Sequence, residues 1–152
     1  MIIKKAEFSD LEKILLLQKL AYKSEAELYE DFSIPPLVQT LKEVEEEFEN
    51  HVFLKVVENE KIIGSVRAVL IDPKTCYIGK LIVHPEFQNR GIGTELIREI
   101  ERIFKDCEKF ELITGHKSKK NLKLYKKLGY KEFKTERLTE NLNLLYLEKI
   151  NL

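Results

Sequence analysis

Apolar positions along the chain change their period often enough to divide it into elements. Ile2–Lys5 predicts a short first strand. Ser9-Asp10-Leu11-Glu12 has the form of a capping box, with serine at the N-cap and glutamate three residues on. Leu11, Ile14, Leu15, Gln18, Ala21 and Tyr22 then share one helix face. Lys23–Ile34 is polar and aromatic without a clean period, and it reads as a connection. Pro35-Pro36 suits the start of a second helix, with Leu37, Leu41, Val44 and Phe48 at helical spacing.

Three strands follow. His51–Glu58 and Lys61–Ile71 flank Asn59-Glu60 and predict a hairpin. Asp72-Pro73-Lys74 turns the chain into a third strand, Thr75–Val83, which ends at His84-Pro85 because proline cannot donate to a ladder. From about Gly91 to Lys105, Ile92, Leu96, Ile97, Ile100, Ile103 and Phe104 form the apolar stripe of a helix. Lys109–Thr114 predicts a strand. Ser118–Leu128 predicts a helix stopped by Gly129, and Tyr130–Arg137 and Asn143–Ile150 predict a final strand pair. The order βααβββαβαββ implies an α/β (α+β) fold: one mixed sheet with helices on both faces.

Composition narrows the classes. At 152 residues, 43% apolar and 34% charged, the chain suits one globular domain, residues 1–152, without repeat, low-complexity tract or linker. No apolar run exceeds four residues, so no helical membrane span is expected, and Met1–Glu7 does not read as a signal peptide. Cys76 and Cys107 suggest neither a disulfide framework nor a metal site, and the expected home is the cytoplasm. The formal net charge of +0 hides an asymmetry. Ser24–Asn50 holds nine carboxylates and one base, Lys42, whereas His116–Arg137 holds nine Lys/Arg and two carboxylates. These are either two solvated faces or two ends that attract ions of opposite sign. With zero net charge and scattered aromatics, no nucleic-acid partner is expected.

Candidate chemistry concentrates in Leu81-Ile82-Val83-His84-Pro85-Glu86-Phe87-Gln88-Asn89-Arg90-Gly91-Ile92-Gly93-Thr94. A buried strand ends in a tight turn that opens a helix. The first amides of that helix lack internal partners, Gly91 and Gly93 permit close approach, and Arg90 adds charge, a combination that suits a pyrophosphate. A P-loop would need Gly-Lys-Ser/Thr where Gly93-Thr94-Glu95 stands. A dinucleotide fingerprint would need glycine at Leu96. Taken alone, a G-x-G helix start is as readily a turn without a ligand.

Val83-x-Pro85 followed by Gly91-Ile92-Gly93, together with Leu124-Tyr125-Lys126-Lys127-Leu128-Gly129-Tyr130, resembles the two signatures of the GCN5-related N-acetyltransferases. The order of elements is similar over essentially the whole chain. The resemblance implies the acyl-CoA N-acyltransferase fold, with a mostly antiparallel sheet, and acetyl-CoA as co-substrate. Leu81, Ile82 and Val83 would lie beside the pantetheine arm, and Asn89, Arg90, Gly91, Ile92, Gly93 and Thr94 would cradle the pyrophosphate. Tyr125 would protonate the departing thiolate, which a phenol of reference pKa about 10 can do for a thiol of about 8.5. Its alternative role is packing beside Leu124 and Leu128.

Two departures stand out. Ser118 occupies the place of an asparagine that meets the CoA arm, with Asn121 one turn later on the same face. Ile113 occupies the place of a catalytic glutamate in some members. The general base is therefore sought among the acids between the first two helices, with Glu27 and Glu30, nearest Tyr22, Tyr29 and Phe32, as first choices. The function implied is transfer of acetyl to the amine of a small molecule or peptide in a ternary complex, with a homodimer as one possible assembly. A CoA-binding sensor without turnover is the alternative. Arg67, on a strand near the middle of the sheet, reads either as a ligand for a substrate carboxylate or, more readily, as a solvent-facing residue; His84 reads as a turn residue, and His51 and His116 have no partner at metal-ligand spacing, so no metal is expected.

Overall fold

A computed structural model describes all residues, 1–152. Seven strands form one sheet: β1 (Ile2–Lys5), β2 (Val52–Glu58), β3 (Lys61–Asp72), β4 (Thr75–Val83), β5 (Lys109–Gly115), β6 (Lys131–Arg137) and β7 (Asn143–Ile150). Their spatial order is β1-β2-β3-β4-β5-β7-β6. Every neighbouring pair is antiparallel except β4–β5. A parallel pair needs a crossover, and here it is a helix. The helices are α1 (Leu11–Tyr29), the single turn α2 (Pro35–Val38), α3 (Leu41–Phe48), the crossover α4 (Ile92–Ile103) and α5 (Lys119–Lys127).

The sheet is covered on both faces, as its alternation requires. On β2, Leu54 and Val56 join the cluster built on Ile92, Leu96, Ile97 and Ile100 of α4, whereas Phe53 packs with Leu11, Ile14 and Leu15 of α1 and Val44 of α3. Each of those α4 side chains is fully buried and contributes about 1.5–3 kcal/mol of transfer free energy. A third cluster, Ala26, Tyr29, Ile34 and Leu142, ties the end of α1 to the β6–β7 connection. Cys76 and Cys107 are free buried thiols, and burial pushes Cys76 up to about 12.

The predicted strands and their hairpin are present, and Asn59 and Glu60 at the β2–β3 turn both have positive φ. Three local expectations need correction. Helix α1 does not end near Tyr22 but continues to Tyr29, because Ala26 and Tyr29 extend its buried face beneath a polar surface that hides the period. The second helix is split, because Thr40 starts a new one: its hydroxyl accepts from the Glu43 N–H while the Glu43 carboxylate accepts from the Thr40 N–H. The turn before α1 is closed not by Ser9 and Glu12 but by Asp10, whose carboxylate accepts from the Glu7 N–H at 2.7 Å and pairs with Lys55 at 2.6 Å.

Candidate active site

The site begins where two strands part. β4 and β5 pair from Thr75 opposite Lys109 to Ile78 opposite Leu112 and then separate. β4 stays with β3 as far as Val83 opposite Gly64, and β5 stays with β7 as far as Gly115 opposite Leu144. The parting coincides with a bulge. Ser65 faces Ile82 and Arg67 faces Gly79, so β4 carries one residue more than β3 in this stretch, with Lys80 at φ 43°. A lysine in that region costs about 1–3 kcal/mol and persists only where its surroundings hold it. Here its ammonium is anchored on Glu47 at 3.3 Å.

Between the parted strands lies a cavity of about 270 Å³. Its walls come from α1 (Tyr22, Glu25, Tyr29), α3 (Glu47), β3 (Arg67), β4 (Tyr77 to Leu81), β5 (Ile113 to Gly115), α5 (Asn121, Tyr125, preceded by Ser118) and the β6–β7 region (Leu138, Leu142, Leu144). Tyr125 is buried and its hydroxyl has no partner in the chain. Burial raises its pKa first, and the neighbouring Tyr22, Tyr77 and Glu25 add to the effect. The phenol therefore holds its proton throughout the neutral range.

A relay of hydrogen bonds borders the same cavity. The Lys117 N–H donates to the Tyr29 hydroxyl at 2.8 Å, and Tyr29 and Ser118 share a hydrogen bond of 2.9 Å. Ser118 in turn donates to the Glu25 carboxylate, which leaves Tyr29 as donor to Ser118. Gly115 makes room for this arrangement, since a Cβ there would lie 2.1 Å from the Tyr29 hydroxyl. Arg67 occupies the far wall. It is 1% exposed, lies over the Phe53 ring at 4.5 Å, and donates to Glu47 at 3.1 Å and Gln18 at 2.6 Å. Burial opposes ionisation of Glu47, but Arg67 and Lys80 outweigh it and hold its carboxyl below the usual range.

Beyond the end of β4, His84 accepts from the Glu86 N–H at 3.1 Å and forms the turn. Asn89 and Gly91 take left-handed conformations, φ 64° and 78°, and α4 starts at once. The first helical bond of α4 is Glu95 N–H to Gly91 C=O, so the N–H groups of Arg90 through Thr94 donate to nothing within the chain. A run of free N–H groups at a helix N-terminus is an arrangement suited to an anion. Gly91 is required for its φ, having open space around it. Gly93 also serves packing: a Cβ there would meet Leu124 at 3.1 Å, so it lets α4 lie close against α5.

A family model described as "Acetyltransferase (GNAT) family" matches residues 13–130. The chain belongs to this family. Among curated proteins it is similar to "UPF0157 protein YqkA" of Bacillus subtilis (strain 168), 28% identical over 132 residues, which are 86% of this chain and 37% of that protein. The chain thus spans little more than a third of that relative. Among solved structures it is similar to smu.2055 from Streptococcus mutans UA159, with TM-score 0.86, 20% identity and 100% of both chains covered. It is also similar to the PaiA N-acetyltransferase from Thermoplasma acidophilum, solved in complex with coenzyme A, with TM-score 0.72, 21% identity and 98% of each chain covered. These two likenesses concern the GNAT fold.

Within that fold the expected residues divide. Leu81, Ser118, Asn121 and Tyr125 line the cavity, as does the apolar Ile113. Asn89, Arg90, Gly91, Ile92, Gly93 and Thr94 form the helix start beyond the end of β4, but the Arg90 guanidinium is turned to Glu58 at 3.0 Å and stacks on Phe87. Ile82 and Val83 do not line the cavity: Ile82 packs with the α1 cluster and Val83 against the α4 cluster. Glu27 and Glu30 are exposed and outside the cavity. The extended α1 turns Tyr22, Glu25 and Tyr29 inward and Glu27 outward, and Glu30 sits at the left-handed C-cap, φ 52°. Arg67, expected at the surface, is buried in the wall. Glu25 belongs to the acid cluster Glu25, Glu27, Glu30 and Asp31 expected to hold the base, though not to its first choices, while Glu47 and Lys80 carried no expectation. Helical spacing with Tyr22 and Tyr29 was the available signal for Glu25; nothing local marks the bulge that turns Lys80 inward.

Proposed function

We propose that this GNAT protein transfers acetyl from acetyl-CoA to an amine by direct attack in a ternary complex. The reading rests above all on one juxtaposition: a cavity between parted strands faces both Tyr125 and Glu25, beside a helix start with free N–H groups. Acetyl-CoA supplies a thioester whose acyl carbon accepts the amine. The N–H groups of Arg90 through Thr94 suit its pyrophosphate, and the lysines of α5 suit its further phosphate. The irregular backbone of Gly79 to Leu81 borders the reacting end, with Asn121 on the opposite wall.

The proton movements are assigned to two side chains. An ammonium must lose a proton before it attacks, and Glu25 is the carboxylate at hand, oriented by Ser118 and Tyr29. Burial keeps Tyr125 protonated; as the C–S bond breaks it donates to the departing thiolate, and the second proton shed by the attacking nitrogen restores the phenol. Positioning and desolvation in the cavity supply the remainder. Neither Cys76 nor Cys107 lies on the cavity wall, so a covalent acetyl-enzyme through a thiol is disfavoured. The test combines two measurements: the melting temperature with and without acetyl-CoA, and thiol release across a panel of amines. Acetyl-CoA at 100 times its dissociation constant should stabilise the protein by about 2.7 kcal/mol. No melting shift at millimolar acetyl-CoA would overturn the reading. A shift with no thiol release from any amine would favour the sensor.

A further inference from the structure

Around Arg67 the cavity lining carries two positive charges to one negative. Arg67 and Lys80 both border it, and Glu47 is the carboxylate that pairs with each, at 3.1 and 3.3 Å. Gln18, which accepts from Arg67, spends its own amide on Pro36 and Gln39 and brings no charge. Glu43 faces Lys80 from farther out, exposed and engaged at the Thr40 cap. His51 also borders the site, with burial lowering its pKa, and Tyr22 and Tyr77 are neutral there. Among buried side-chain polar atoms, only Nε of Arg67 has no hydrogen-bond partner. The chain thus leaves part of this guanidinium's donor capacity unspent, while its charge borders the cavity. Burial and the neighbouring Arg67 also depress Lys80, so a second anion is favoured at this wall.

Elsewhere on the lining the sign reverses. Glu25 accepts from Ser118 and pairs with no lysine or arginine. A cavity of about 270 Å³ lies at the lower end of small-ligand sites, which run from about 300 Å³ upward. We propose that the acceptor is a small amine that carries a carboxylate on the same molecule, with the carboxylate held by Arg67 and Lys80 and the amino group facing Glu25. This rests on the acetyltransferase reading above and narrows its acceptor. Arginine suits the role because its planar fork matches a carboxylate, and Phe53, Gln18 and Glu47 fix its orientation in advance. Lys80 adds a point charge at the bulge beside the reacting end.

The experiment uses matched pairs: glycine and glycinamide, β-alanine and its amide, γ-aminobutyrate and its amide. Thiol release with acetyl-CoA gives kcat and KM, and melting of the CoA-bound protein gives binding. In at least one pair the acid should exceed its amide by about tenfold or more in kcat/KM. Lys80→Gln should bring that ratio toward one, mainly through a higher KM for the acid, and Lys80→Arg should keep it. Lys80 is the chosen variant because it is partly exposed, whereas replacing buried Arg67 endangers the fold. Amides equal to or better than acids in every pair would overturn the proposal and leave the acetyltransferase reading standing. Acetyl-CoA binding with no panel member bound or acetylated would overturn it too. Absence of acetyl-CoA binding would remove both.

Discussion

Tyr125→Phe removes one oxygen from a side chain whose hydroxyl donates to nothing in the protein, and this permits a sharp separation of stability from activity. The ring is 5% exposed and packs 6.2 Å from the ring of Tyr130, contacts that phenylalanine keeps. No intramolecular hydrogen bond is lost, so stability should change by less than about 1 kcal/mol. Tyr29→Phe is the internal control. It deletes the hydrogen bonds to Ser118 at 2.9 Å and from Lys117 at 2.8 Å and leaves buried groups without partners, a cost of about 1–3 kcal/mol. For a chain of this size, 1 kcal/mol moves the melting temperature by about 2–4 °C, so the two variants are separable by scanning calorimetry. Activity should rank in the opposite sense. Loss of a general acid lowers turnover by about 10²–10⁴-fold, or about 2.7–5.4 kcal/mol of transition-state stabilisation. The assay is thiol release at saturating acetyl-CoA, with CoA affinity measured separately by calorimetry and expected to be nearly unchanged. Turnover within about twofold of the parent protein would refute the acid role and return Tyr125 to packing. A melting loss as large as that of Tyr29→Phe would refute the claim that its hydroxyl stands free.

Other outcomes follow from the same geometry. Glu25→Gln should lower turnover with an amine acceptor by about 10²-fold, whereas Glu27→Gln and Glu30→Gln, on the outer surface, should match the parent. Gly91→Ala meets no atom within 4 Å but must hold φ 78°, so it should fold with a loss of about 1–2 kcal/mol and a smaller melting shift with acetyl-CoA. An undiminished shift would place the phosphate site elsewhere. Burial raises the pKa of both Tyr125 and Tyr130, and the Tyr130 hydroxyl also donates to Glu101 at 2.7 Å, which only the phenol can do. Their folded pKa values lie above the unfolded value of about 10, so this stability is complete below pH 10 and declines as pH rises past it, by up to about 1.4 kcal/mol per unit for each. Denaturant titrations between pH 8 and 11 should show the decline, reduced in Tyr125→Phe. Dephospho-CoA should bind more weakly than CoA at low salt, with the gap closing at high salt as the α5 lysines are screened; equal low-salt affinities would make those lysines a solvated face.

What the sequence determined by itself was local and periodic. The stripe Ile92-Leu96-Ile97-Ile100, the proline after β4, the glycines at the α4 start and the Ser118-Asn121-Tyr125 helix face depend on neighbours within a turn or two. Their consequences are therefore written in the residue order, and the family signature lies within them. The tertiary structure decided whatever depends on partners distant in the chain. Arg67 is charged and sits on a strand, so its composition points to solvent; its burial depends on Gln18 from α1, Glu47 from α3 and the Phe53 ring, brought together only when the sheet is covered. Glu25 differs from Glu27 by a rotation about α1, and that rotation is fixed by Ala26 and Tyr29 packing with Leu142, more than a hundred residues onward. Lys80 turns inward because β4 carries one residue more than β3 at the bulge, a mismatch of register that belongs to the pair of strands and to neither alone. A period of 3.6 or 2 residues reveals which face is apolar; which charges meet across the cavity is settled by packing, because the energy of a buried charge depends on what surrounds it.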